Sequence, residues 1–285
     1  MTLAVYFLII FASVTQSATA KLFNRTSSNP VMFNAIKATA SLVLVVVMSV
    51  FGFSYHTPTL IFGLSYGISL SISMYFGYMA LSSGPMALTS MIVSFSVLIP
   101  VLYGVTVGKE SLGIFQYFAF AFLVLAIMFT NFDKIRVKSE RSVDYKKWLL
   151  FVFVTFLCNG ACSVLQKQHQ ILYPEKYSKE FMLFAMILCS AVFLAFGLRG
   201  VSLNKIRKVK GKGYAVLSGI ANGAANFLTL LLAGMENASV LFPIISGGTV
   251  FASLICGRFL FSEKLKLNHY FALAAGVAAV VLLRL

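Results

Sequence analysis

The chain has 285 residues, 59% hydrophobic and only 11% charged, and its mean hydropathy is +0.90. Soluble domains carry about 25% charged residues, so the composition excludes an ordinary soluble domain and points to an all-α, polytopic membrane protein. The net charge of +15 does not mark a nucleic-acid binder, because the Lys and Arg side chains sit in short segments between apolar runs, where they set topology and meet lipid headgroups.

A spanning helix needs about 20 mostly apolar residues. Ten such runs follow one another at 2–20, 31–51, 59–82, 85–107, 112–132, 148–166, 181–198, 213–234, 238–260 and 267–284. The first ends in Ala18-Thr19-Ala20, which resembles a cleavage site. It lacks a basic start and is longer than a signal core, so it reads as a span. It carries Ser13, Gln16 and Ser17 on one stripe, and the second run carries Lys37 two turns in. The third places Ser65, Ser69 and Ser73 on one face, with Tyr75 and Tyr78 nearby and a Gly63/Gly67 pair suited to close helix contact. Ser83-Gly84-Pro85 leads into the fourth run, which contains Pro100, and Glu110 opens the fifth. A polar, mixed-charge linker at 133–147 separates the first five runs from the second five. The sixth run holds Asn159, Ser163 and Gln166 and ends at Lys167; the eighth holds Ser218, Asn222 and Asn226. Glu236 stands at the start of the ninth, Pro243 lies inside it, and Glu263 opens the tenth. Cys158, Cys162, Cys189 and Cys256 all lie in apolar runs without His or acid at ligand spacing, which predicts inert buried thiols and no metal site.

The second half echoes the first. A shift of 153 residues carries Glu110, Leu112 and Tyr117-Phe118-Ala119 onto Glu263, Leu265 and Tyr270-Phe271-Ala272, and carries Ser65, Ser69 and Ser73 onto Ser218, Asn222 and Asn226. The expected organisation is a five-helix repeat at 1–132, the linker at 133–147 and a second five-helix repeat at 148–285. With five spans per repeat the second copy enters from the opposite face, so the pair is inverted and encloses a central cavity. Loops after spans one, five, seven and nine hold seventeen Lys and Arg against four on the other side, which assigns the rich side to the cytoplasm and both termini to the outside.

Polar groups inside lipid are expensive and usually serve a task. Gln16, Ser69, Ser73, Tyr75, Asn159, Gln166, Asn222 and Asn226 are therefore the uncharged cavity candidates, with interhelical hydrogen bonding as the competing role. Asn222 and Asn226 favour the cavity, since an unpaired amide in lipid is costly; the serines favour helix contact. Lys37 either faces the cavity and attracts an anion or snorkels, and Lys167 reads as an interface anchor or a second basic site. Glu110 and Glu263 read as caps complementing the positive ends of their own helices, with gating as the alternative; Glu236 is the acid nearest a span.

Three stretches carry a family resemblance: Ala80-Leu81-Ser82-Ser83-Gly84-Pro85-Met86-Ala87 with Pro100 and Gly108-Lys109-Glu110-Ser111-Leu112; Gly234-Met235-Glu236-Asn237-Ala238-Ser239-Val240 with Phe261-Ser262-Glu263-Lys264-Leu265; and the first span with Gln16. With the five-plus-five layout, the chain resembles the drug/metabolite transporter superfamily in its EamA-like branch. The resemblance implies a ten-helix basket around a central substrate and export or exchange of small metabolites, with basic residues at the positions of Lys37 and Lys167. It also implies cytoplasmic termini, against the charge count. Related four-helix exporters carry a proton-exchanging Glu in their first helix; here that region offers Gln16.

The expected function is a secondary transporter of small polar metabolites, amino acids among them, moving them by alternating access in a bacterial cytoplasmic membrane. The alternative is a carrier of anionic or sugar-linked compounds such as nucleotide sugars, and a non-transport subunit comes third. No nucleotide-binding motif or cofactor signature is present. His56, His169 and His269 are scattered without acids at useful spacing, so no enzyme is expected. The expected partners are a small-molecule substrate and the bilayer, and the oligomeric state stays open, a monomer included.

Overall fold

In the computed structural model, residues 2–26, 30–50, 52–83, 89, 92–135, 145–198, 210–261 and 267–282 are described. Among them the chain is all-helical, with no strand. In order, α1 is Thr2–Thr26, α2 Pro30–Ser49, α3 Thr57–Ser83, α4 Leu98–Thr106 after a 3-10 turn at Phe95–Val97, and α5 Ile114–Ile135. Then come α6 Tyr145–Leu172, α7 Ser178–Leu198, α8 Lys212–Ala233, α9 Ala238–Phe261 and α10 Leu267–Leu282.

The helices fall where the apolar runs fall, because a chain segment in hydrocarbon must satisfy its backbone internally. Seven of them, α1, α2, α3, α6, α7, α8 and α9, are long and apolar enough to cross a bilayer. The fourth and fifth runs give shorter apolar helices, Ile92–Thr106 and Ile114–Phe129. The 3-10 turn in the former ends three residues before Pro100, which lacks the N–H that would bond the carbonyl of Ser96. The tenth run gives a helix of 16 residues, about 24 Å long.

Packing divides the chain into two compact units. The first comprises Met1–Ser71 and Gln168–Gly234; the second comprises Ile72–Lys167 and Met235–Leu285. They do not coincide with the two sequence halves, since each takes helices from both.

In the first unit α8 packs on α1 and α2, and α7 packs on α2. Small residues set these distances. A Cβ added to Gly63 or Gly67 would lie 2.7 Å from the carbonyl oxygen of Phe181 or Ala185, so α3 rests on the backbone of α7. Gly219 and Gly223 do the same for α8 against α2, where added Cβ atoms would meet the carbonyls of Lys37 and Ser41. Ala12, Ala221 and Ala225 form a seam between α1 and α8. Such small-residue contacts replace the hydrophobic drive that lipid removes.

In the second unit α10 packs on α5, and α9 packs on α4, α5 and α10. Gly160 on α6 admits the side chain of Ile99 from α4. Trp148 closes a core with Ala80 and Val152, and its indole donates to Thr89 Oγ1 at 2.8 Å.

Candidate functional site

The second unit contains a cavity of about 320 Å³ lined by Ser94, Ser96, Val97, Asn159, Ser163, Phe242, Ile245, Ser246 and Thr249, with Val93 and Val250. Five hydroxyls and one carboxamide line it, and no ionisable side chain does. Three helical segments supply them: the turn before α4, the middle of α6 and the middle of α9. Two prolines lie near this wall: Pro100 has no N–H for the Ser96 carbonyl, which meets the Leu98 N–H instead, and Pro243 sits inside α9 beside Phe242. Asn159 is held by Ser73, whose hydroxyl donates to Asn159 Oδ1 at 2.6 Å, leaving the amide N–H₂ to its surroundings. Thr249 Oγ1 is buried and has no hydrogen-bond partner among the described residues. A buried hydroxyl without a partner is rare and calls for a ligand or water. The arrangement offers hydrogen bonds to an uncharged or internally neutral polar molecule.

A second cluster in the same unit surrounds Glu110. The chain leaves α4 through Lys109, in the left-handed region at φ 52°, and the amide N–H of Glu110 donates back to the Gly104 carbonyl at 3.0 Å. This turn aims the carboxylate at the first residues of α9. Its oxygens accept from Ala238 N at 2.8 Å, Ser239 N at 3.0 Å and Ser239 Oγ at 2.7 Å. Lys167 Nζ lies 3.8 Å from Glu110 Oε1 and donates to the Glu236 carbonyl at 2.5 Å. Two expectations are corrected here. Glu110 does not serve its own helix, which begins at Ile114; it caps α9, whose unpaired N–H groups and positive end attract a carboxylate. Lys167 is not an interface anchor: it is only 7% exposed and its ammonium is bonded inside the protein. Glu236 contributes its backbone carbonyl to this cluster. Glu263 lies outside the described residues.

The remaining candidates are placed as follows. In the first unit Asn222 is buried in the α2–α8 contact, and its amide donates to Ser41 Oγ at 3.2 Å; Ser41 donates to the Gly219 carbonyl at 2.7 Å. Asn226 Nδ2 donates to the Asn222 carbonyl at 2.9 Å, and Asn226 Oδ1 accepts from Tyr66 at 2.8 Å. These asparagines thus knit α2, α3 and α8 together, and neither lines the polar cavity. Ser69 donates to the Ser65 carbonyl of its own helix, and Ser218 Oγ is buried without a partner among the described residues. Gln16 is half-buried on α1, Gln166 is buried on α6, and Tyr75 is exposed and meets Phe76 edge-on. Lys37 is half-buried on α2 and forms no ion pair among the described residues. All four cysteines are free.

Two histidines read as scattered are in fact neighbours. His169 is fully buried; its Nε2 is 3.1 Å from Thr59 Oγ1, which is 2.9 Å from His56 Nδ1. Gln170 Nε2 lies 3.2 Å from His169 Nδ1 and donates to Ser178 Oγ at 2.9 Å, while Gln170 Oε1 accepts from Glu175 N at 3.2 Å. An amide nitrogen only donates, so Nδ1 of a neutral His169 accepts and its Nε2–H donates to Thr59 Oγ1, which is shared with the ring of His56. The ring of His56 stacks on Tyr177 at 4.3 Å, and Glu180 accepts from Ser54 N at 2.8 Å. These bonds hold the turn after α6, where Glu175 and Tyr177 take left-handed backbone at φ 58° and 56°.

No family model and no curated protein matches the chain. A solved structure does. It is described only as "Crystal structure of protein"; it superposes with a TM-score of 0.80, covers 99% of this chain and 95% of its own, and is 14% identical. At that identity the likeness shows a shared fold and carries no function.

Proposed function

We propose that the protein is a secondary transporter of small polar metabolites, organised as inverted five-helix repeats of the drug/metabolite, EamA-like kind and working by alternating access. The observation that carries this reading is the hydroxyl- and amide-lined cavity of the second unit, with the unpartnered Thr249 hydroxyl in its wall. Polar groups gathered within apolar helices are costly unless a task requires them. The pattern of helix contacts also supports the repeat. Exchanging halves turns α3 on α7 into α8 on α2, and each contact is made by two glycines four residues apart. The same exchange relates α1 on α8 to α3 on α6, where Ser73 meets Asn159.

The absence of charge in the cavity lining favours neutral or zwitterionic substrates over the anionic and sugar-linked compounds that Lys37 and Lys167 suggest. The test is a thermal-shift screen of purified protein against neutral, zwitterionic and anionic metabolites, followed by counterflow in proteoliposomes with the hits. A true ligand raises apparent stability. Thr249→Val removes a hydroxyl that bonds nothing among the described residues, so it should leave the ligand-free midpoint unchanged while weakening ligand binding by about tenfold. Asn159→Ala should abolish transport. Unaltered affinity and counterflow in both variants would remove the cavity from the mechanism.

A further inference from the structure

A groove of about 620 Å³ runs along the first unit, walled by α2, by Leu194 of α7 and by Val216 and Ile220 of α8. On α2 it extends from Met32 to Val47, fifteen residues and so about 22 Å. The hydrocarbon of one leaflet is about 15 Å deep, so the groove is longer than a leaflet's apolar layer. Its wall is open to the surroundings: Val43 is 58% exposed, Val47 64%, Val216 41% and Ile220 43%. Thr39, the one hydroxyl in the lining, donates to the Ala35 carbonyl of its own helix at 2.8 Å and offers nothing outward.

The two ends differ in charge. On α8, Lys212 lies one turn before Val216 and two turns before Ile220, on the same stripe, and it is exposed. Tyr214 is exposed beside it, as an aromatic at headgroup level would be. Past Val47, at the other end, α2 runs into Val50, Phe53 and Tyr55 with no Lys, Arg, Asp or Glu before His56. The first unit's described carboxylates, Glu175 and Glu180, belong to the opposite end of α7 from Leu198. We propose that this groove binds one acyl chain of an anionic phospholipid whose phosphate meets Lys212. The apolar wall supplies shape and van der Waals contact along the acyl chain rather than a hydrophobic drive, which lipid removes, and the Lys212 ammonium fixes which end the headgroup occupies and which headgroup is preferred. The proposal rests on the helices spanning a bilayer and is independent of the transport reading. A chain that failed to partition into membranes would defeat that premise before the lipid experiment began.

The experiment uses the full-length, delipidated protein in detergent, titrated with phosphatidylglycerol or phosphatidylcholine of identical acyl chains. It reads both retained adducts by native mass spectrometry and the thermal midpoint. Phosphatidylglycerol should form a one-to-one adduct and raise the midpoint at lower concentration than phosphatidylcholine. Lys212→Gln should weaken phosphatidylglycerol about fivefold, the weight of one surface lysine at an anionic membrane, and leave phosphatidylcholine unchanged. Val43→Trp and Val216→Trp, both at exposed positions, should fill the groove and abolish the adduct with either lipid while keeping the parent's lipid-free midpoint. Equal affinity for the two headgroups overturns the anionic preference. An adduct that survives in whichever tryptophan variant folds overturns the groove.

Discussion

Removing the charge of Glu110 leaves one amide oxygen where two carboxylate oxygens accept from Ala238 and Ser239, and leaves Lys167 without its counter-charge. Two backbone donors, a hydroxyl and a buried ammonium converge on it. Breaking one side of a buried ion pair is far more damaging than replacing both sides, because the survivor stays charged in a dry place. Glu110→Gln should therefore destabilise the protein by about 3 kcal/mol, whereas adding Lys167→Met to it should restore much of the loss. Thermal midpoints of the two single variants and the double variant in detergent check this; additive losses would show that the two side chains do not interact. Gly104 is part of the same arrangement, since a Cβ there would lie 2.5 Å from Glu110 Oε2. The sequence places Glu110 at a helix boundary and so marks it as a cap. It does not reveal which helix is capped, because the recipient lies 128 residues away and only the fold brings it near. His56 and His169 are hidden in the same way: Thr59 joins them across 113 residues of chain.

Helices are legible in this sequence and their partners are not. Apolar runs near twenty residues long mark where the backbone must bond to itself, and the structure puts helices there. Glycines four apart mark a close contact, and Gly63 and Gly67 make one with α7. Gly219 and Gly223 carry the same signal in α8, and the amide of the neighbouring Asn222 fastens that contact through Ser41. The cavity serines and Thr249 could have been found from Pro100 and Pro243, because an imino residue inside a span opens backbone groups to whatever lies beside them. Gly219→Leu tests the element scale. An added side chain would meet the Lys37 carbonyl and Ala40 Cβ, backbone and packed carbon that cannot swing aside. The variant should lose several kcal/mol of stability, at the upper end for overpacking, and express as aggregate. A monodisperse protein with the parent midpoint would show that α2 and α8 can part without cost.

At the scale of the whole molecule, the likeness to a solved fold extends over 99% of the chain at 14% identity. Architecture of this kind survives extensive sequence change because apolarity, small residues at crossings and polar groups at fixed depths are enough to specify it.

The two compact units each draw on both halves of the chain. A break within the connection at 133–147 would therefore sever neither unit cleanly. Each fragment would hold unfinished pieces of two bodies. Produced alone, either fragment should be degraded or precipitate. Produced together from two genes, they should find each other in the membrane and purify as a stoichiometric pair with the intact protein's thermal midpoint. A fragment that is stable in isolation would contradict this division. The chain is in this sense already an obligate heterodimer whose subunits happen to be translated as one.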